Sequence, residues 1–182
     1  MIINMSISDL KKSAFEYLLN GLLEWFSNVT LYKNSSSFSR VKVLKLLFFV
    51  AAIKDSKGND LLDIFDKFYA MPHGPVESDI YNYMSRDELK YYSFNEIYLK
   101  PKQVYSVNSE NLPLEIRTRI DNAIKCLRLE NPLIINKGAF ELVEISHKWI
   151  VWKNSMKIAE LGGKSSSLML VESIRSNPPI FM

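Results

Sequence analysis

Residues 41–53 read VKVLKLLFFVAAI, and the second half of this stretch, 46–53, is the longest uncharged apolar run in the chain. A helix that is apolar almost all round belongs at the centre of a domain. A buried strand is the alternative, but Lys45 and the two alanines favour a central helix over residues 40–55. The run is far too short to cross a bilayer.

A proline–glycine break follows this helix at residues 69–76, which read YAMPHGPV. Its two prolines and one glycine are incompatible with the interior of a helix or a central strand. Pro75 is suited to be the first residue of a new helix, which we expect over 77–84. His73 lies in the middle of the break, on irregular backbone of the kind that often carries function.

The helices elsewhere are predicted from apolar spacing and capping residues. Ser8 is the expected N-cap of an N-terminal helix that extends to about Trp25. Pro113, at the first helical position, opens a long helix that ends before Asn131. A shorter helix is expected over 137–149, with its inner face formed by the following residues: Phe140, Val143, Ile145 and Trp149.

Aromatic and β-branched residues at 92–107 flank Lys100-Pro101-Lys102 and predict a small β-hairpin or wing. Gly162-Gly163-Lys164-Ser165 resembles the end of a nucleotide-binding loop but lacks its first glycine, so a flexible linker is expected there. The predicted fold class is therefore mainly α: a compact single-domain helical fold with one small hairpin.

The composition excludes several classes of site. Cys126 is the only cysteine, which excludes an intramolecular disulfide and a cysteine metal cluster. The net charge is only +3 and no segment forms a basic stripe, so a nucleic-acid partner is not expected. The N-terminus has no signal-peptide pattern, which predicts a cytoplasmic protein with no membrane association.

His73 and His147 are the only histidines and the only side chains whose ordinary pKa lies near neutrality. No serine elbow, carboxylate pair or metal triad accompanies them, so we expect no catalytic residues, no metal, no cofactor and no enzyme activity. The structural interpretation has His73 bonding the backbone of its turn and His147 bonding a core neighbour. Of Trp149 and Trp152, one is expected in the core and one partly exposed.

Three blocks in this order carry a family resemblance: Lys45-Leu46-Leu47-Phe48-Phe49, then His73-Gly74-Pro75-Val76, then Leu142 through Ser146-His147 to Trp152. Together they resemble the Panacea, or SocA-like, antitoxin domain. The family usually places proline just before the late tryptophan, where this chain has Val151. The resemblance covers residues 39–153. An N-terminal helix and linker, 1–38, and a C-terminal extension, 154–182, lie outside it.

The resemblance implies a prokaryotic or phage antitoxin of a type II toxin–antitoxin system, whose partner is a cognate protein toxin bound by direct contact. Alternatives are an adaptor that delivers the toxin to a cellular protease, and a DNA-binding autoregulator that uses the hairpin as a wing. The oligomeric state is left open. The candidate binding residues are those at motif positions, together with Trp149 as a potential hot spot: His73, Gly74, Pro75, Val76, His147, Trp149 and Trp152.

Overall fold

The computed structural model describes residues 6–30, 38–95, 98–102 and 112–182. This part of the chain is mainly α, as predicted. Its helices are α1 (Ile7–Val29), α2 (Arg40–Ala52), α3 (Ser78–Ser85), α4 (Leu114–Glu130), α5 (Ala139–His147), α6 (Ile150–Leu161) and α7 (Val171–Ser176). Its strands are β1 (Phe68–Met71), β2 (Gly74–Glu77), β3 (Tyr92–Phe94), β4 (Leu99–Pro101) and β5 (Ser167–Leu168). None of the described helices combines the length and the apolar character that crossing a membrane requires.

Helix α2 forms the centre of the molecule, which confirms the prediction from its apolar run. Eleven of its thirteen residues are buried, and it packs against α4, α5 and β2. Phe48 makes edge-to-face contacts with Phe68 and Trp149, at centroid distances of 5.2 and 4.6 Å. The helix ends at Ala52, before the predicted Asp55, because Ile53 is already extended.

Helix α1 buries one face against α4 and α3. The predicted cap at Ser8 is wrong. Ser6 is the N-cap, and its hydroxyl accepts a hydrogen bond from the Asp9 amide at 3.1 Å. The Ser8 hydroxyl instead shares a hydrogen bond of 2.9 Å with the hydroxyl of Tyr83 on α3. The side chain of Ser8 therefore serves tertiary packing, not the start of the helix.

The proline–glycine break is a β-hairpin, so the prediction that Pro75 begins a helix is wrong. Strands β1 and β2 pair with Met71 opposite Gly74, which leaves Pro72 and His73 as a two-residue turn. The sheet order is β2-β1-β5, so Pro75 lies in an edge strand, where its missing N–H removes no ladder hydrogen bond. Helix α3 begins one residue after β2, at Ser78.

The predicted wing is confirmed where the structure describes it, since β3 and β4 pair as an antiparallel hairpin. The rest of that prediction, at 96–97 and 103–107, lies outside the described residues. The ammonium of Lys102 donates to the carbonyls of Asp87 and Leu89 at 3.0 and 2.7 Å. This lysine therefore holds the hairpin to the turn that precedes it.

The C-terminal third differs most from the predictions. The helix expected over 137–149 ends at His147, and a second helix, α6, follows where a tail was expected. Phe140 is 84% exposed, so its predicted place on the inner face is wrong. The expected linker at Gly162–Ser165 is a helix end: Gly163 has φ +64°, and the Lys164 amide donates to the Ala159 carbonyl at 2.8 Å. This geometry is a Schellman C-cap.

Lys11 of α1 lies among three carboxylates. Its ammonium is 2.7 Å from Asp66, 2.9 Å from Glu77 and 2.8 Å from Asp79. The carboxylates lie within 4.8 Å of one another, as ligands of a metal ion would. Burial acts to lower the pKa of Lys11, but the three hydrogen bonds raise it above its usual range. The cluster joins α1 to the hairpin and α3 through a buried charge.

We expect Lys11→Met to lower the free energy of unfolding by about 3–5 kcal/mol, because it leaves the fully buried Glu77 carboxylate without its cation. Urea denaturation at neutral pH measures this loss. Lys12→Met is the matched control, since Lys12 pairs at 3.4 Å with Glu88 nearer to the surface and its loss should cost at most about 1 kcal/mol. Equal losses in the two variants would contradict a structural role for the cluster.

Candidate functional site

The first two motif blocks meet through one buried hydrogen bond. The ammonium of Lys45, on α2, donates to the carbonyl of Pro75 at 2.7 Å. Lys45 is only 1% exposed, although it is a charged residue in an apolar helix. Hydrogen-bonded and non-bonded pairs alternate along an antiparallel ladder, and Tyr69–Val76 and Met71–Gly74 are the bonded pairs on either side of Pro75. The Pro75 carbonyl therefore faces away from β1, toward α2. Lys45 thereby closes this edge of the sheet.

The third block holds the other strand of the hairpin. The indole N–H of Trp152 donates to the carbonyl of Met71 at 3.1 Å. The ring of His147 stacks on Trp152, with centroids 3.8 Å apart and planes 12° apart. We call the assembly of Lys45, residues 71–76, Ser146, His147 and Trp152 the hairpin corner.

Gly74 is packed so closely in the hairpin corner that no other residue fits. It has φ +85°, a conformation that side chains disfavour. A Cβ at this position would lie 2.3 Å from Ser146 Oγ and 2.8 Å from Lys45 Cε. Gly74 therefore supplies a backbone conformation and a close approach that residues with a side chain resist.

A groove of about 440 Å³ lies beside the hairpin corner, between the start of α2, the hairpin turn and α3. Most of its walls are apolar, and Val41, Met71 and Tyr81 are 37%, 37% and 45% exposed. The described residues that line it include no carboxylate: Ser39, Arg40, Val41, Leu44, Lys45, Met71, Pro72, His73, Val76 and Tyr81. Concave, largely apolar surfaces of this size are typical of binding sites.

The structure brings six of the seven candidate residues into the hairpin corner and leaves out Trp149. His73 is exposed at the turn and lines the groove, while Val76 is half-buried. Trp149 is 1% exposed, and its indole N–H donates to the Ile180 carbonyl at 2.6 Å. The expectation of one core and one partly exposed tryptophan is confirmed, with Trp152 the exposed one.

The two histidines differ from their expected roles. Among the described residues, the His73 side chain has no hydrogen-bond partner, so the turn is held by Lys45 and Trp152 instead. The Nε2 atom of His147 is buried and has no partner in the same part of the chain. Burial, followed by the nearby charge of Lys45, lowers the pKa of His147 against the opposing effect of Glu144. Burial thus favours the neutral form of the His147 ring, which packs on Trp152.

Lys45 belongs to the hairpin corner, although it was not among the candidate binding residues. Burial lowers the pKa of its ammonium to about 7. A lysine beside the apolar run of a central helix is a signal in the sequence, because a buried ammonium is costly unless a specific acceptor meets it. The acceptor, a backbone carbonyl thirty residues away, leaves no trace in residue identities.

Comparisons of this chain with protein-family models, with curated proteins and with solved structures found no match. The function is therefore inferred from the residues and their geometry.

We expect Gly74→Ala to lower the free energy of unfolding by more than Gly58→Ala does, as measured by urea denaturation. Both glycines have positive φ, +85° and +81°, so both variants carry the conformational penalty of about 1–2 kcal/mol. Only at Gly74 does a Cβ also meet buried atoms, since nothing lies within 4 Å of the position at Gly58. Equal losses of unfolding free energy would show that the atoms around Gly74 move aside without destabilising the fold.

The lowered pKa of Lys45 predicts that stability rises with pH. Between about pH 7 and the ordinary lysine value of 10.5, the unfolded chain binds a proton that the folded chain does not. Lys42, with a pKa lowered to about 8 by burial, adds to the slope in the upper part of this window. Each group contributes at most about 1.4 kcal/mol per pH unit.

Lys45→Met should therefore remove the rise in unfolding free energy between about pH 7 and 8 and weaken it above pH 8. Denaturation at half-unit pH steps measures the slope. Lys57→Met, at an exposed turn, should leave the slope unchanged. A Lys45→Met variant with the wild-type slope would mean that Lys45 stays charged in the folded protein.

Proposed function

We propose that this protein is a cytoplasmic antitoxin of a type II toxin–antitoxin system and that it neutralises a cognate protein toxin by direct contact. One observation supports the proposal most: the three blocks of the resemblance, which are far apart in sequence, converge on the hairpin corner. Lys45 holds the Pro75 carbonyl and Trp152 holds the Met71 carbonyl. Residues shared with a binding module thus build one local structure next to a groove.

The chemistry of this region favours binding over catalysis. Lys45 is buried and bonded to the backbone, and one face of His147 is covered by Trp152. The exposed side chains of the groove are largely apolar, which suits an apolar segment of a partner protein better than a polar substrate. We therefore propose a stoichiometric binding protein that needs no cofactor.

The wing gives little support to DNA binding. Lys102 is engaged with two carbonyls and lies 3.0 Å from the Asp87 carboxylate, which leaves Lys100 as the free cation of the described hairpin. Phosphate contacts supply most of the affinity of such proteins for DNA.

Co-expression with the neighbouring gene tests the proposal. The product of that gene alone should stop growth, co-expression should restore growth, and the two proteins should purify as a stable complex. Growth arrest that co-expression does not relieve would overturn the proposal. If growth is restored while the half-life of the toxin falls, the protein instead delivers the toxin to a protease.

Val41→Glu should weaken toxin binding at least tenfold, because it places a carboxylate in the apolar wall of the groove. Isothermal titration with the purified toxin measures the loss. Val29→Glu is the matched control, since Val29 is 39% exposed against 37% for Val41 but lies at the end of α1. Unchanged affinity in a folded Val41→Glu variant would exclude the groove from the interface.

A further inference from the structure

The groove beside the hairpin corner carries charge of a single sign. Its described lining includes three basic residues and no carboxylate: Arg40, Lys45 and His73. Three other grooves in the described part of the chain each include at least one carboxylate, from Asp55 and Glu130, from Glu172, and from Glu24 and Asp121. The basic lining therefore distinguishes the groove at the hairpin corner and bears on what binds there.

Arg40 is a cation of this groove that the described chain leaves without a counter-ion. The residue is half-buried on the first turn of α2, and its guanidinium donates to the Phe94 carbonyl at 3.2 Å. Its Nε atom is buried and has no partner among the described residues. A carbonyl oxygen satisfies one N–H but does not cancel the charge of the guanidinium, which has further donors. Arg40 is therefore suited to pair with a carboxylate that enters the groove.

Lys45, and His73 when it is protonated, add charge of the same sign. The ammonium of Lys45 is bonded to the Pro75 carbonyl, again a neutral acceptor, and its pKa of about 7 leaves it partly charged at neutral pH. His73 is exposed at the hairpin turn, where its side chain has no hydrogen-bond partner in the described chain. The N-terminus of α2, at Arg40, contributes partial positive charge as well.

The acidic residues of β2 and α3 are already paired. Glu77 and Asp79 lie 2.9 and 2.8 Å from the ammonium of Lys11. Glu144 of α5 lies near His147 and does not line the groove. None of these carboxylates therefore pairs with the guanidinium at the groove.

We propose that this groove binds an apolar segment of a partner protein that carries an aspartate or a glutamate, and that the carboxylate of this residue pairs with Arg40. The proposal rests on the antitoxin function, and the partner is then the cognate toxin. The apolar side chains of the segment contact Val41, Met71 and Tyr81, which are exposed in the groove.

Electrostatics disfavours the two alternative kinds of segment. A basic segment would place like charges together. An uncharged apolar segment would cover Arg40 and remove it from water without a counter-ion, and a buried unpaired charge is costly. A carboxylate avoids both costs, and its attraction to the guanidinium grows as the apolar walls and the segment exclude water. The pair therefore discriminates among segments of equal apolar area.

The test uses the full chain and the purified product of the neighbouring gene, with affinities from isothermal titration. Arg40→Gln removes the cation, and His73→Glu places a carboxylate at the exposed turn of the groove. Each variant should bind about tenfold more weakly. Lys57→Gln removes a cation at an exposed turn outside the groove and should bind as the wild type does. His73→Lys adds a cation to the groove and should bind at least as tightly as the wild type.

The salt dependence of binding gives a second measure of the charge pair. The affinity of the wild-type protein should fall as the salt concentration rises, because salt screens the attraction between the basic groove and the acidic segment. The same titration with Arg40→Gln should show a smaller dependence on salt. An equal dependence in the two proteins would contradict the pair with Arg40.

Circular dichroism checks that each variant folds. Wild-type affinity in a folded His73→Glu variant would overturn the proposal, even if Arg40→Gln, which loses its bond to the Phe94 carbonyl, fails to fold. Rescue of growth by the wild-type protein, together with weaker binding by Val41→Glu but not by His73→Glu, would overturn the acidic segment. That result would leave the antitoxin function standing.

A second arm does not depend on the toxin. Peptides selected from a random library for binding to the wild-type protein and not to Val41→Glu should combine apolar residues with aspartate or glutamate. If the neighbouring gene product does not bind, the antitoxin proposal fails, and this selection alone decides which segments the groove takes. Enrichment of lysine or arginine, or no enrichment, would overturn the proposal, as would a wild-type dimer that His73→Glu dissociates.

Discussion

The hydrogen bond from Lys45 to the Pro75 carbonyl is the interaction on which the functional region depends. A buried ammonium is costly unless it has an acceptor, so Lys45 fixes the distance between the central helix and the edge of the sheet. Proline at position 75 supplies the carbonyl and no competing N–H. Gly74 then brings the backbone so close to Lys45 and Ser146 that the hairpin has one position relative to α2 and α5.

A second lysine, Lys11, binds the last residue of the same strand, β2. Glu77 closes β2, caps α3 by accepting a hydrogen bond from the Ile80 amide at 2.8 Å, and binds Lys11. Strand β2 is therefore held by α2 at one residue and by α1 two residues later. Buried charges of this kind add little net stability compared with apolar packing, but they penalise every arrangement in which the charge loses its partner.

The hairpin corner and the apolar groove beside it differ in how their residues are used. Most of the motif residues are structural, since Lys45, Gly74, Pro75 and Trp152 fix the backbone of the hairpin, and His73 is an exposed polar residue that lines the groove. A family that shares the hairpin corner and varies its other surfaces would keep one fold and change its partners.

The sequence by itself determined the helices with strong apolar spacing, the central place of α2 and the wing of β3 and β4. These depend on local periodicity and backbone sterics, which residue identities encode directly. Only the tertiary structure decided that residues 69–76 form an edge hairpin, that Phe140 faces outward and that α6 continues the chain. Those outcomes depend on long-range contacts, such as the packing of α5 against α2 and the pairing of β1 with β2 and β5, and such contacts leave no periodic pattern in the sequence.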